Sequence, residues 1–160
     1  MIISVSRFRE SDLDTIFFIQ RTSYKALYEK YHDDSSSPYM ERKETVLSKY
    51  TRAGTSGYLF LVDGTAVGAV RVNIDEINRI GRVSALCVLP WYQGRGIAQT
   101  ALLEIERLHP NVKKWVLDTI LEEAGNCHLY EKIGYKKTGR TEKIQDGMTL
   151  VFYEKKTLSD

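Results

Sequence analysis

The stretch from Val83 to Leu108, VSALCVLPWYQGRGIAQTALLEIERL, constrains the fold of this chain more than any other. Val83 to Leu89 is apolar and β-branched and stops at Pro90, which cannot donate to a sheet ladder, so it predicts a strand. From Ile97 the apolar residues Ile97, Ala101, Leu102, Ile105 and Leu108 recur at helical spacing opposite Gln99, Thr100, Glu104 and Arg107. Gln93-Gly94-Arg95-Gly96-Ile97-Ala98 lies between. The first turn of a helix leaves N–H groups without partners, and glycine lets a ligand approach the main chain without meeting a Cβ. Anionic oxygens suit such a turn, through those donors and the helix dipole.

Two phosphate motifs do not fit. A P-loop needs Gly-Lys-Ser/Thr at the helix start, which the chain lacks, and a dinucleotide fingerprint needs a third glycine where Gln99 stands. Gln93-x-x-Gly96-x-Ala98 instead resembles the signature of the GNAT acetyltransferase superfamily. A second segment strengthens the resemblance: Tyr130, Glu131, Lys132, Gly134 and Tyr135 match the family's Tyr-Glu-Lys-x-Gly-Phe/Tyr, which ends a short helix. Leu129 and Ile133 share one helical face there, and Gly134 suits a left-handed cap.

The resemblance implies an acetyl-coenzyme A-dependent N-acetyltransferase. In it Gln93, Gly94, Arg95, Gly96, Ile97, Ala98 and Gln99 would hold pyrophosphate, and the main chain of Leu86, Cys87 and Val88 would meet the pantetheine arm. Tyr130 would protonate the departing thiolate and contact the coenzyme. A phenol, with a reference pKa of ~10, is protonated at neutral pH and can serve a thiolate whose conjugate acid titrates near ~8.5. The family's coenzyme-binding asparagine, seven residues before the tyrosine, is replaced by Glu123; Asn126, four residues before Tyr130, either reaches the coenzyme in its stead or caps the short helix after Gly125. The acceptor implied is a primary amine of a small molecule or peptide that attacks directly in a ternary complex. The alternative is a non-catalytic acyl-coenzyme A sensor on the same fold.

No general base stands out. Arg82 to Leu89 holds no acid, and Asp75 and Glu76, nearest in sequence, read as solvated hairpin residues. Cys127 and His128 are adjacent and point about 100° apart on a helix, so they form no relayed pair. His32, His109 and His128 are scattered and predict no metal site. Tyr24, Tyr28 and Tyr31 read as core or interface. Asp33 and Asp34, near those aromatics, would suit a cationic acceptor, although two acids after a helix commonly form a solvated turn.

The remaining pattern predicts one domain over residues 1–160. Its class is α/β, a mixed, mostly antiparallel central sheet with helices on both faces. Strands are expected at Ile2 to Phe8, Tyr58 to Val62, Ala66 to Ile74, Val112 to Ile120, Tyr135 to Ile144 and Met148 to Glu154, with hairpin turns at Asp63-Gly64 and Asp146-Gly147. Ser11 is the expected cap of a first helix carrying Leu13, Ile16, Phe17, Tyr24, Leu27, Tyr28 and Tyr31, and Pro38 the first residue of a second reaching Tyr50. The N-terminus lacks a signal-peptide pattern and no apolar run reaches ~20 residues, so no membrane association and a cytoplasmic location are expected. Twenty-three basic against 21 acidic residues give no electrostatic case for nucleic-acid binding. Arg79, Arg82 and Arg95 are expected to act locally, beside coenzyme phosphates; the resemblance alone suggests a homodimer.

Overall fold

The computed structural model describes residues 1–157. Seven strands form one sheet: β1 (Ile3–Arg7), β2 (Thr55–Val62), β3 (Thr65–Asp75), β4 (Ile80–Val88), β5 (Lys114–Ile120), β6 (Lys136–Gln145) and β7 (Met148–Lys156). Their spatial order is β1-β2-β3-β4-β5-β7-β6, and every neighbouring pair is antiparallel except β4 with β5. Four helices complete the fold: α1 (Leu13–Tyr31), α2 (Lys43–Tyr50), α3 (Ile97–Leu108) and α4 (Ala124–Lys132). The mixed, mostly antiparallel sheet predicted from the strand pattern is present.

Both faces of the sheet are covered, and β3 records it. Val67, Ala69, Val70 and Val72 are all 0 % exposed although successive side chains point to opposite faces. α1 packs on β3 and β4, whereas α3 packs on β1, β2 and β4. α3 buries Ile97, Ala101, Leu102 and Ile105 of the predicted stripe, together with Ala98, whereas Leu108 at its last turn is exposed; each isoleucine or leucine so buried contributes about 1.5–3 kcal/mol. The β2–β3 turn has Asp63 at φ 49° and Gly64 at φ 83°, two positive values that match the right-handed strand twist.

Three local expectations need correction. Ser11 does not cap α1; Glu10–Asp12 form a 3-10 turn, Asp12 occupies the cap position, and its carboxylate accepts from the Arg9 N–H at 2.9 Å. The helix expected from Pro38 to Tyr50 is two pieces. Pro38–Met40 is a 3-10 turn capped by the Ser37 hydroxyl, and extended backbone at Glu41 and Arg42 precedes α2. Asn126 does not cap the short helix, because α4 begins at Ala124 with Glu123 as its cap residue. All three differences fall at element ends, the least locally determined part of a fold.

Candidate active site

The site begins where the sheet comes apart. β4 and β5 pair only through Ile80↔Lys114, Gly81↔Trp115 and Arg82↔Val116, so beyond Arg82 the two parallel strands diverge. At the same point β4 bulges against β3. Ser84 faces Arg71 and Cys87 faces Ala69, which leaves Ala85 and Leu86 opposite Val70 alone. Ala85 takes φ 52°, a strained value for a residue with a Cβ, and bulges of this kind re-aim side chains and end pairing. The result is a wedge with its closed end at Arg82 and its mouth toward the β4–α3 turn.

That mouth is the glycine turn read from the sequence. The first α3 bond runs from the Thr100 N–H to the Gly96 carbonyl at 3.0 Å, so the N–H groups of Ile97, Ala98 and Gln99 have no acceptor within the helix. Gly94 and Gly96 lie at φ 77° and 76°; a Cβ on Gly94 would meet nothing within 4 Å, and one on Gly96 only Gln99 Oε1 at 3.9 Å. The space before the donors is open, which fits a phosphate-bearing group. Gln93 is used structurally: its Nε2 donates to the Val88 carbonyl at 2.9 Å and ties the turn to the end of β4. Arg95 donates to the Trp91 carbonyl at 3.1 Å and lies 5.3 Å from the Tyr92 ring centre.

The β4 main chain is held from both sides. The Leu89 N–H bonds the Val67 carbonyl at 2.8 Å, so alternation turns the Val88 N–H away from β3 and toward the wedge. Leu86 presents its carbonyl to the Tyr24 hydroxyl at 2.6 Å. With Gln93 on Val88, two carbonyls of the Leu86–Val88 segment have a side-chain donor, each keeping a second lone pair. The Cys87 side chain is buried, and that burial pushes its thiol up to about 12, so it is a neutral wall.

Tyr130 is 7 % exposed on α4, packed edge-on to Tyr135 with ring centres 5.8 Å apart. The helix ends where the Tyr135 N–H returns to the Tyr130 carbonyl at 3.1 Å across Gly134, at φ 104°. Burial pushes the Tyr130 hydroxyl above the ordinary phenol range, and the Asp118 carboxylate adds to the shift, as do Cys127 and Cys87. Tyr24 feels Tyr130 and Cys87 in the same way. Tyr130, Tyr24, Cys87 and Asp118 therefore share one neighbourhood at the wedge, assembled from α4, α1, β4 and β5.

Asp118 was not legible in the sequence as a site residue. It stands on β5 two residues past the last β4–β5 pair, and its carboxylate meets Arg82 Nη1 at 3.3 Å across the closed end of the wedge. Asp75 and Glu76, the acids nearest β4 in the chain, lie elsewhere. Asp75 closes the β3–β4 turn by accepting from the Ile77 and Asn78 N–H groups at 3.1 and 3.0 Å, and both acids line a small cavity with Arg79 and His109.

Asn126 is exposed on the first turn of α4. Glu123, at the position of the family's asparagine, accepts from Lys30 Nζ at 2.6 Å and from the Tyr31 hydroxyl, which fastens the start of α4 to the end of α1. Tyr28 donates to Asp34, and the Ser36 hydroxyl donates to Asp33 at 3.1 Å, so both acids of the α1–α2 connection serve that loop. His109 pairs with the Tyr58 hydroxyl at 2.8 Å. No cluster of three or more potential metal ligands occurs among the described residues, and none of their helices is long and apolar enough to cross a membrane.

Comparison with known proteins agrees with this geometry. The sequence profile of the Acetyltransferase (GNAT) family matches residues 24–135. Among solved structures, the ribosomal-protein-S18-alanine N-acetyltransferase of Escherichia coli is similar at a TM-score of 0.78 and 14 % identity, covering 99 % of this chain and 96 % of that one. Spermidine N-acetyltransferase from Vibrio cholerae, in complex with CoA and spermine, gives 0.76 and 18 % over 95 % and 94 %. PaiA N-acetyltransferase from Thermoplasma acidophilum, in complex with coenzyme A, gives 0.73 and 20 % over 98 % and 100 %. At these identities the likeness is one of fold. The search of curated proteins gives no sequence match. With the family profile matched across both the glycine turn and the tyrosine helix, the chain belongs to the GNAT acetyltransferase family.

Proposed function

We propose that residues 1–160 form a single N-acetyltransferase domain that moves an acetyl group from acetyl-coenzyme A to a primary amine by direct attack. The observation that carries this reading is an open helix-start cradle that follows β4 together with a buried Tyr130 that bears on Cys87 of the same strand. Acetyl-coenzyme A supplies the activated thioester. The N–H groups of Ile97, Ala98 and Gln99, with Gly94 and Gly96 leaving room, hold its pyrophosphate, and the Val88 N–H at the splayed edge of β4 meets the pantetheine arm.

Tyr130 stays neutral through the physiological range because its folded pKa is raised, so it keeps a proton to donate as negative charge develops on sulfur. Net transfer turns an ammonium and a thioester into an amide and a thiol with release of one proton. Asp118, at the closed end of the wedge, is the carboxylate placed to receive the proton that leaves the amine, directly or through water. Metal chemistry is not called on by any of these steps.

Calorimetric titration with acetyl-coenzyme A, comparing wild type with Gly96→Glu, tests the cradle. Wild type should bind, and the variant should lose about 100-fold or more in affinity, because a carboxylate placed before the helix start competes with phosphate for the same donors. No binding by wild type would sink the assignment. Binding without thiol release over a broad amine panel would favour the sensor reading instead.

A further inference from the structure

A second polar feature lies on the α1/α2 face of the sheet, beside the bulge. Gly57 of β2, Arg71 of β3 and Ser84 of β4 form one register row, so Arg71 and Ser84 share a face with the space above Gly57. Tyr50 of α2 fills that space, since a Cβ on Gly57 would approach its ring to 2.4 Å. Ser23 of α1 and Cys87, one step along β4, adjoin the row, because the Ser23 hydroxyl meets the Cys87 thiol and that thiol bears on Tyr50.

Two buried oxygens here lack a standard hydrogen-bond partner among the described residues. Tyr50 is 3 % exposed, and its hydroxyl has no hydrogen-bond partner among the described residues; the buried Ser23 Oγ has no standard one either. Native proteins rarely leave such groups unpaired, and each costs about 1–3 kcal/mol when they do. Arg71 is partly buried, and its guanidinium makes no hydrogen bond or ion pair with any described residue; it lies 5.9 Å from the Tyr50 ring centre, and its charge bears on the Tyr50 and Tyr24 hydroxyls.

The neighbouring charges do not answer Arg71. Glu41 is engaged by Lys49 and by Gln20 Nε2 at 2.8 Å, and Asp118 by Arg82. Cys87 is neutral, and the Tyr24 hydroxyl is committed to the Leu86 carbonyl. A guanidinium partly withdrawn from water with no acceptor is unfavourable unless a ligand supplies one.

We propose that Arg71, with the Tyr50 and Ser23 hydroxyls, binds a carboxylate of the acceptor, so that the substrate class is an amine that also carries an acid, such as an amino acid. This rests on the transferase reading above. The carboxylate takes charge-assisted hydrogen bonds from Arg71 and accepts from the Tyr50 and Ser23 hydroxyls, while the amine of the same molecule is directed along the row past Ser84 to the wedge and Tyr130.

The test uses matched pairs, L-phenylalanine with L-phenylalaninamide and L-lysine with L-lysinamide, assayed for thiol release with acetyl-coenzyme A and titrated calorimetrically against the coenzyme A-loaded protein. The acid should exceed its amide by about tenfold or more in kcat/KM for at least one pair, the scale of a charge-assisted contact. Arg71→Gln should remove that advantage through KM while leaving acetyl-coenzyme A affinity unchanged. Tyr50→Phe, which deletes only the oxygen, should raise KM for the acid several-fold.

Equal use of acid and amide, an advantage that survives Arg71→Gln, or no binding of either acid to the loaded protein would each overturn the proposal. A purely structural Tyr50 predicts unchanged KM and a more stable Tyr50→Phe protein, which also counts against it. Failure of wild type to bind acetyl-coenzyme A is a different result and removes the transferase reading itself.

Discussion

The glycine turn before α3 and the polar floor beneath α1 and α2 both adjoin β4, yet they are built in opposite ways. The turn is contiguous: strand, glycines and helix follow one another from Ile80 to Leu108, and its donors are main-chain N–H groups that any sequence would carry. The floor is assembled from Ser23, Tyr50, Arg71 and Cys87, each on a different element, and its chemistry is entirely in side chains. The turn needs little from the rest of the molecule beyond the Gln93 tie to Val88. The floor exists only if α1, α2 and the β2–β3–β4 register are all in place. Binding through the turn should therefore tolerate change elsewhere, and the floor should not.

Three substitutions and one condition sharpen that contrast. Largest is Tyr130→Phe, where the two regions meet: it removes one oxygen, and kcat for thiol release should fall about 10²–10⁴-fold with acetyl-coenzyme A affinity nearly unchanged. A kcat within twofold of wild type would remove Tyr130 from the proton transfer and leave it as packing against Tyr135.

Next is Gly57→Ala in the floor. Its Cβ would stand 2.4 Å from the Tyr50 ring and 3.0 Å from Phe8 Cβ, so α2 must shift; urea unfolding should show a loss of about 1–3 kcal/mol. The matching change in the turn, Gly94→Ala, meets no atom within 4 Å, and should cost only the backbone strain of a positive φ, about 1 kcal/mol. Equal losses for the two would break the comparison.

The smallest effect is one of pH. Burial raises the hydroxyl pKa of Tyr24, Tyr50, Tyr130 and Tyr135 above the ordinary phenol value. Groups whose folded pKa exceeds the unfolded one contribute stability that is complete below the unfolded value, ~10, and is lost as pH climbs through the folded values. Tm should hold level from pH 7 to about 9.5 and decline above it, with tyrosinate absorbance appearing only as the protein unfolds. Tyrosinate forming near pH 10 in the folded protein would show these hydroxyls to be solvated.

Most of the candidate cofactor site could be read before the fold was known, and the reason is visible in particular residues. Gly94 and Gly96 report a backbone conformation that costs other residues strain, and the α3 stripe reports which face is buried; both signals are local. The Tyr130–Tyr135 segment is equally local, ending at a glycine whose positive φ the sequence marks. The acid at the wedge was missed for the opposite reason. Asp75 and Glu76, near β4 in the chain, sit in a hairpin turn as their position implied, whereas Asp118, on a strand that joins β4 only through a parallel crossover, lies at the wedge. Proximity along the chain says little about which side chains face each other across a parallel pair.

By itself the sequence determined the strand–turn–helix unit, the tyrosine helix, the hairpins and the mixed α/β class, because glycine conformations and hydrophobic periods depend on a residue and its near neighbours. The tertiary structure alone decided where β4 parts from β5, that the bulge falls at Ala85 and Leu86, that Tyr24 holds the Leu86 carbonyl, and that the buried Tyr50 hydroxyl, with Arg71 over its ring, has no hydrogen-bond partner among the described residues. Those features depend on strand register and on what is withdrawn from water, and both are set by segments distant in the chain coming together.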